Sequence, residues 1–126
     1  KTIKEMIKSG CLIKNSNILI LGVTFKEDCP DMRNTKVIDI IEEVKEYGAN
    51  VDVYDPWVDR EEEKKYYHHG FIDNPFLANI KYDAIIIAVA HSQFKELKMK
   101  EYKKISKQKP IIIDVKAISP NPTWRL

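Results

Sequence analysis

The chain alternates between short apolar runs and stretches in which apolar residues recur at helical spacing. The runs over residues 17–22, 84–90 and 110–114 are continuous, which is typical of strands buried on both faces of a parallel sheet. Residues 51–55 (VDVYD) alternate apolar and polar positions and predict a further strand, which Pro56 ends. The pattern therefore predicts strands separated by long connections.

The connection between residues 23 and 50 contains a clear helix pattern. Its apolar residues at helical spacing are Val37, Ile40, Ile41 and Val44. Asn34 or Thr35 can cap the start of this helix, and Gly48 is its natural C-terminal stop.

The remaining connections carry weaker signals. Residues 1–10 predict an amphipathic helix, residues 59–67 a short surface helix and residues 93–105 a longer helix. Residues 71–80 fit no single element, and the chain after residue 117 is expected to be an irregular tail. The first of these helices lacks a cap, which suggests that it is the tail of something longer.

Apolar strands that alternate with helical segments of crossover length are typical of βαβ units. The predicted fold is therefore α/β, a Rossmann-like open parallel sheet with helices on both faces. In such sheets ligands bind beyond the carboxyl ends of the strands, where helix N-termini also attract anions. Residues that bind a ligand are therefore expected after Gly22, Ala90 and Asp114.

Composition and charge narrow the classes of function. The 21 basic and 19 acidic residues give a formal charge of +2, without the basic tract that is typical of nucleic-acid binding. The Lys-rich residues 95–109 are interpreted as a solvated helix face. No apolar run is long enough to cross a membrane, and no secretory signal is recognised. We therefore expect a cytoplasmic protein that binds neither nucleic acid nor membranes.

The first strand end is the most informative. The connection over residues 23–33, called the long loop below, is about twice the usual length of ~2–6 residues for a strand-to-helix loop. The sequence VTF follows Gly22, so the G-x-G-x-x-G pattern that cradles a pyrophosphate is missing. Charge for a phosphate would come from Lys26 and then Arg33. Alternatively, both cations pair with the acidic residues of the loop at the surface.

The other strand ends carry polar residues for which a structural role is favoured. His91 and Ser92 follow the third strand, and Ser92 can cap the next helix, although direct ligand contact stays open. Asp55 ends the second strand, where a dinucleotide-binding fold places its ribose carboxylate. Without the glycine pattern, an Asp-Pro turn with Pro56 is the favoured interpretation.

No residues form a credible catalytic or metal constellation. His68 and His69 have no further ligand at metal spacing, so no metal site is assigned. Cys29 has no assignable histidine partner, and an incidental thiol is favoured over a nucleophile. No catalytic residue is assigned to this chain.

At the long loop the sequence resembles a known family. The family's hallmark G-x-x-F-K-x(4)-D-x-R is matched by Gly22, Phe25, Lys26, Asp31 and Arg33. Further matches are Tyr54-Asp55-Pro56, the AVAHxxF segment over residues 88–94 and the strand end Asp114-x-Lys116. In this order, over residues 17–117, they closely resemble the C-terminal domain of the UDP-glucose/GDP-mannose dehydrogenase family.

The resemblance implies roles for individual residues. Phe25 and Lys26 would contact a nucleotide-sugar, and Arg33 would reach an NAD cofactor bound mainly by a missing N-terminal domain. Lys116 would also contact the UDP-sugar. The family usually shows arginine there, and lysine keeps the charge but loses the planar fork.

The resemblance also implies a domain organisation and an activity. Residues 1–14 would be the end of a central linking helix and residues 15–126 the nucleotide-sugar-binding C-terminal domain. The parent enzyme, a homodimer with an N-terminal catalytic domain, would use NAD to oxidise the C6 alcohol of a UDP-sugar to a uronic acid. Residues 29–36 resemble the branch that acts on UDP-N-acetylhexosamines for surface polysaccharides. The family's catalytic cysteine lies upstream of residue 1, so this chain alone is expected to be inactive.

Two other classes of protein share parts of the pattern. A stand-alone interaction or regulatory module could keep the fold without the ligand, although the uncapped first helix argues against independence. A phospho-accepting receiver domain has the same order of elements. Its acidic pair after the first strand is absent here, because GVT stands at residues 22–24.

Overall fold

The computed structural model describes residues 16–32, 35–58, 61, 71–78, 80–107 and 110–114, and the backbone of residues 124–125. The helices predicted over residues 1–10 and 59–67 lie outside these ranges, apart from Glu61. Arg33 and Lys116, two of the residues expected to contact ligands, also lie outside them.

The described residues form a parallel sheet. Its strands are β1 (Asn17–Leu21), β2 (Asn50–Tyr54), β3 (Ala84–Ile87), β4 (Ile112–Asp114) and β5 (Trp124–Arg125). The strand order is β2-β1-β3-β4-β5, and all neighbours are parallel. The four strands predicted from apolar patterning are confirmed, and so is the open parallel sheet.

Helices cover both faces of the sheet. They are α1 (Val37–Glu46), α2 (Ser92–Lys95) and α3 (Met99–Lys104). Because successive strand residues point to opposite faces, Ile18 and Ile20 of β1 pack in the same cluster as α1, while Leu19 and Leu21 pack with α2 and α3. The predicted helices on both faces are therefore confirmed.

The start and the end of α1 follow the sequence signals closely. The Thr35 hydroxyl accepts a hydrogen bond from the Val37 N–H (3.2 Å), although Lys36 occupies the N-cap position. At the other end, Gly48 has φ 88° and its N–H donates to the Lys45 carbonyl (2.9 Å). This left-handed residue stops the helix as predicted.

The single helix predicted over residues 93–105 is wrong, because the chain forms α2 and α3 instead. Between them, Lys98 has an extended backbone with φ −109° and ψ 168°. Leu97 and Met99 both pack against the same apolar cluster. Residues two apart lie on the same side only when the backbone between them is extended, so burial of both side chains outweighs helical spacing.

One further expectation is corrected, and a segment for which no element was predicted is described. The tail is not wholly irregular, because β5 pairs with β4 in a register that joins Ile113 to Trp124. The ambiguous residues 71–80 contain a short 3₁₀ helix, Pro75–Leu77, whose preceding Asn74 side chain accepts a hydrogen bond from the Phe76 N–H (2.9 Å).

Candidate functional site

The carboxyl edge of the sheet, where the C-terminal ends of the strands meet, is the predicted location of the ligand site. Leu21 of β1 pairs with Tyr54 of β2 and with Ile87 of β3, and Ile87 pairs with Asp114 of β4. The three strand ends singled out by the sequence therefore lie on one edge, as expected for a parallel sheet.

The long loop leaves β1 through a turn that requires glycine. Gly22 has φ 94°, a conformation that residues with a side chain rarely adopt. A Cβ at this position would lie 2.6 Å from the Cβ of Val89, because the chain after β3 passes beside the turn. The Gly22 N–H donates to the Tyr54 carbonyl (2.9 Å), so this turn is also tied to β2.

Asp55, just beyond β2, holds the start of the long loop. Its Oδ2 accepts hydrogen bonds from the N–H groups of Val23 (2.8 Å) and Thr24 (3.3 Å). Its Oδ1 accepts from the N–H groups of Trp57 (2.8 Å) and Val58 (3.2 Å), which forms the predicted Asp-Pro turn. The carboxylate is buried, so its role is to join two loops.

His91 lies beyond β3 and uses both ring nitrogens inside the protein. The side chain is fully buried. Its Nε2 lies 2.8 Å from Oδ2 of Asp55 and 3.2 Å from Oγ1 of Thr24, while its Nδ1 accepts the Asp28 N–H (2.9 Å). The acceptor role of Nδ1 and the carboxylate at Nε2 together assign the neutral Nε2–H tautomer. This confirms a structural role for His91.

Asp28 joins the far side of the long loop to the end of β3. Its backbone has φ 51°, which aspartate tolerates better than most residues. Its carboxylate accepts hydrogen bonds from the Ser92 N–H (2.8 Å) and hydroxyl (2.5 Å). These bonds, with the Lys95 cation nearby, hold the pKa of Asp28 below its ordinary value. Ser92 is the first residue of α2 and not its cap, so the expected capping by Ser92 is wrong.

These contacts form one hydrogen-bond network, which we call the anchor network; its members are Thr24, Asp28, Asp55, His91 and Ser92. It connects the ends of β1, β2 and β3 through side chains. Sequence analysis singled out Asp55, His91 and Ser92 but not the two members from the long loop, and it did not predict that all five are joined. Chain separations of up to 67 residues between bonded partners explain why no local pattern reveals the network.

The anchor network leaves Phe25 and Lys26 at the surface. The Phe25 side chain is 55% exposed, so this loop presents a large apolar side chain to solvent. Its N–H donates to the Asp31 carbonyl (2.7 Å), and the Thr24 hydroxyl donates to the Lys26 carbonyl (2.9 Å). The backbone here is therefore fixed while both side chains are exposed.

The alternative of a surface ion pair for Lys26 finds no support in the described part of the chain. Asp28, the acid two residues away, is hydrogen-bonded to Ser92. No ion pair of Lys26 occurs among the described residues. The corresponding alternative for Arg33 falls outside the described ranges.

Trp57 is a feature of this edge that sequence analysis did not single out. Its ring lies near that of His91 in a tilted arrangement, with centroids 6.2 Å apart, and its Nε1–H donates to Oε1 of Gln93 (2.9 Å). Trp57 follows the end of β2 and Gln93 follows that of β3, so the pair bridges across the end of β1, which lies between them. The sequence signal that could have identified Trp57 is its position directly after the Asp-Pro pair that follows β2.

The end of β4 is buried. Asp114 has no exposed surface, and its charge, after burial itself, contributes to raising the pKa of Tyr102 in α3. Lys116 follows two residues later, beyond the described residues, so its predicted substrate contact stays a prediction.

The described residues lack two other features that could indicate a function, a metal site and a membrane-spanning helix. They contain no group of three or more His, Cys, Asp or Glu side chains arranged to hold a metal ion, while His68 and His69 lie outside. Cys29 is a partly exposed free thiol. No helix in the described ranges is both long and apolar enough to cross a membrane.

Residues 19–121 match a family model described as the UDP-glucose/GDP-mannose dehydrogenase family, UDP binding domain. The chain is 45% identical over 118 residues to a UDP-N-acetyl-D-glucosamine 6-dehydrogenase of Salmonella typhi, a match that covers 94% of this chain and 27% of that protein. It is also 45% identical over 116 residues to Protein CapL of Staphylococcus aureus, with 92% and 27% covered.

Solved structures agree with the sequence comparison. An NDP-N-acetyl-D-galactosaminuronic acid dehydrogenase from Methanosarcina mazei superposes with a TM-score of 0.76 at 27% identity, covering 90% of this chain and 24% of that one. The chain therefore spans about a quarter of the length of the relatives that it matches.

Proposed function

The chain belongs to the UDP-glucose/GDP-mannose dehydrogenase family as a UDP-binding domain, and we propose that it binds the nucleotide-sugar for an NAD-dependent 6-dehydrogenase. The whole enzyme oxidises the C6 alcohol of a UDP-sugar to a uronic acid. Relatives with this activity in their names are similar over nearly all of the present chain.

The observation that supports the proposal is the structure of the long loop at the carboxyl edge, whose backbone is fixed by hydrogen bonds while two of its side chains are exposed. Phe25 offers an apolar surface and Lys26 a cation, while the loop backbone between Thr24 and Asp31 is fixed by hydrogen bonds. A diphosphate needs such a cation, because no glycine-rich turn supplies N–H groups here. Lys26 is therefore proposed to bind the diphosphate and Phe25 to pack against the nucleotide-sugar.

Two further contacts are proposed from the resemblance alone. Lys116 follows the end of β4 by two residues and would contribute a second cation to the UDP-sugar. Arg33, at the far end of the long loop, would reach the NAD that the other domain mainly binds. Both assignments depend on the matched motif positions in the sequence.

The proposed substrate is a UDP-N-acetylhexosamine used for surface polysaccharides. The relative from Salmonella typhi carries the name UDP-N-acetyl-D-glucosamine 6-dehydrogenase, and relatives named UDP-glucose 6-dehydrogenase are less similar, at 29–34% identity. The family match gives no support to a stand-alone module or a receiver domain.

The proposed organisation follows the family. Residues 1–14 are the end of a central linking helix and residues 15–126 are the nucleotide-sugar-binding domain, joined to an N-terminal domain that binds NAD and carries catalysis. The parent protein is a cytoplasmic homodimer. Without the N-terminal domain, the chain produces no NADH from UDP-sugars and NAD; production above a blank preparation would contradict this.

Calorimetric titration of the 126-residue chain tests the binding role. UDP and UDP-N-acetylglucosamine are expected to bind, while UMP binds at least about 10-fold more weakly because it lacks the second phosphate that a cation would contact. Adenosine diphosphate serves as the control for the base. If UDP binds no more tightly than inorganic phosphate, the proposed function is wrong.

A further inference from the structure

His91 is the residue of the anchor network that touches the most other members. It contacts Thr24 and Asp28 of the long loop and Asp55 beyond β2, while it is itself attached to the end of β3. A fully buried imidazole with both nitrogens engaged cannot contact a ligand. Any effect of His91 on ligand binding must therefore act through the residues that it holds.

The two nitrogens of His91 make chemically different bonds. Nδ1 is an acceptor for the backbone N–H of Asp28, and Nε2–H is a donor to the Asp55 carboxylate. The first bond fixes the loop, whereas the second fixes the imidazole to the framework. A substitution that keeps one bond and removes the other can therefore separate these two effects.

The conformation of Asp28 depends on these partners. Its φ of 51° lies in the left-handed region, which costs a non-glycine residue free energy. The bond from its N–H to His91 and the two bonds that its carboxylate accepts from Ser92 offset that cost. Only Glu27 separates Asp28 from Lys26, so release of Asp28 would free the backbone that orients the Lys26 side chain.

We propose that His91 is a positioning residue for nucleotide-sugar binding, and that it acts through Asp28 to hold Phe25 and Lys26 towards the ligand. The proposal rests on the proposed function, because it presumes that these two side chains are the contacts. It adds a residue that cannot touch the ligand and assigns the effect to one bond, from the Asp28 N–H to Nδ1.

His91→Asn and His91→Gln are the two test variants. The Asn side-chain oxygen lies where Nδ1 lies and can still accept the Asp28 N–H, but the shorter side chain loses Asp55. The Gln amide nitrogen reaches towards Asp55 in place of Nε2, but its side chain leaves the Asp28 N–H without an acceptor. Calorimetry with UDP and urea unfolding are measured on both variants and on the unmodified 126-residue chain.

We expect His91→Gln to weaken UDP binding about 3- to 10-fold, as expected for the loss of one hydrogen bond, and His91→Asn to stay within about twofold of the unmodified chain. In the background of Lys26→Ala, His91→Gln should have a smaller effect than in the unmodified chain, because only Phe25 is then left to be positioned. Ser106→Ala, which removes a buried hydroxyl bond to the Tyr102 carbonyl away from the carboxyl edge, is the control for general destabilisation.

Asp28→Gly and Asp28→Asn keep the test valid if the histidine variants fail to fold. Glycine adopts the left-handed conformation without strain but loses both bonds to Ser92. The asparagine oxygen can still accept the Ser92 N–H, and its amide nitrogen can donate to the Ser92 hydroxyl. Asp28→Gly should weaken UDP binding by a similar factor, and Asp28→Asn should restore it.

The outcomes separate the two proposals. If the unmodified chain does not bind UDP, the proposed function fails and the positioning role fails with it. If the chain binds UDP but affinity follows the free energy of unfolding across all variants, or His91→Gln binds as tightly as the unmodified chain, only the positioning role of His91 is overturned.

Discussion

Buried and exposed residues differ in their contacts at the carboxyl edge. Asp55 and His91 are buried and satisfied by internal hydrogen bonds. Phe25 and Lys26 are exposed on the same loop, and no ion pair of Lys26 is formed within the described ranges. Such a division is typical of a binding loop, in which the buried groups set the geometry and the exposed groups meet the ligand.

Lys26→Ala in the full-length protein is expected to weaken UDP-sugar binding by about 10- to 150-fold. A charge-assisted contact of about 1.5–3 kcal/mol is lost, while NAD affinity changes little. Paired titrations with UDP-sugar and NAD measure this. Arg33→Ala should show the reverse pattern if Arg33 faces the cofactor.

Lys103→Ala, in the last turn of α3, is the matched control for the Lys26 prediction, because it removes an exposed lysine from another part of the chain. UDP-sugar binding within a factor of two for Lys26→Ala, with the fold intact, would make Lys26 an ordinary surface residue.

Ser92→Ala is expected to raise the pKa of Asp28 towards its ordinary value of 3.8, because the side-chain hydrogen bond from Ser92 is the largest cause of the lowering. A carboxylate with a lowered pKa stabilises the folded state above its unfolded pKa, and this contribution disappears as the pH falls through the folded pKa. NMR titration of the Asp28 carboxyl carbon in both proteins measures the shift. An unchanged pKa in Ser92→Ala would show that the hydroxyl contact does not persist in solution.

At the scale of elements, the long loop is defined by the turn at its start. The ends of β1 and β3 converge there, since the N–H groups of Ala88 (2.9 Å) and Val89 (3.4 Å) both donate to the Leu21 carbonyl. Because two N–H groups share one carbonyl, the regular hydrogen bonding between β1 and β3 ends here. Strand β3 therefore stops at Ile87, earlier than the apolar run over residues 84–90 predicts. The convergence leaves no room for a side chain at residue 22.

Gly22→Ala should destabilise the protein by about 2–5 kcal/mol, from the backbone conformation and the contact with Val89 together. Gly48→Ala is the matched control, because Gly48 has a similar φ of 88° and should cost only about 1–2 kcal/mol. Urea unfolding of both variants gives the two free energies. Equal losses would mean that the contact with Val89 relaxes without cost.

At the scale of the whole molecule, the described residues also form polar contacts at the sheet edge opposite the carboxyl edge, where they join elements of the fold. Tyr82 lies before β3, and its hydroxyl donates to Oδ2 of Asp52 (2.8 Å). Asp83 accepts the Asn17 N–H (2.7 Å) and pairs with Lys107 (3.0 Å). Although burial opposes it, these contacts hold the pKa of Asp83 below its ordinary value. They join β1, β3 and the segment after α3.

Stability should fall as the pH rises above about 10, because burial raises the pKa values of Tyr82 and Tyr102 above the ordinary value of 10.0. As the pH rises, the two tyrosines lose their protons in the unfolded chain before they lose them in the folded chain. The unfolded state is therefore stabilised relative to the folded state, and the free energy of unfolding decreases. Urea unfolding at about pH 7 and about pH 11 measures the difference.

Tyr102→Phe tests the same prediction at one residue. Its hydroxyl is buried and has no hydrogen-bond partner among the described residues, so its removal should be close to neutral at pH 7. The variant should also lose less stability in alkali than the unmodified chain. An identical alkaline loss would exclude Tyr102 as a contributor.

The sequence alone determined the elements whose signals are local. Continuous apolar runs identified β1, β3 and β4, because a strand covered on both faces needs no polar positions. Helical spacing and Gly48, which are also local signals, determined α1. Because parallel strands bring their carboxyl ends to one edge, the location of the candidate site also followed from the sequence, and motif matching singled out Phe25 and Lys26 as proposed contacts.

Only the tertiary structure decided what fixes that site. The break before α3 depends on burial of both Leu97 and Met99 against one cluster, a demand that helical spacing does not encode. The pairing of β5 with β4, and the bonds that join Asp28 to His91 and His91 to Asp55, connect residues far apart in the chain. The packing of the sheet brings these residues together. A hydrogen bond between distant residues produces no periodic pattern in the sequence, so the sequence alone could not predict these contacts.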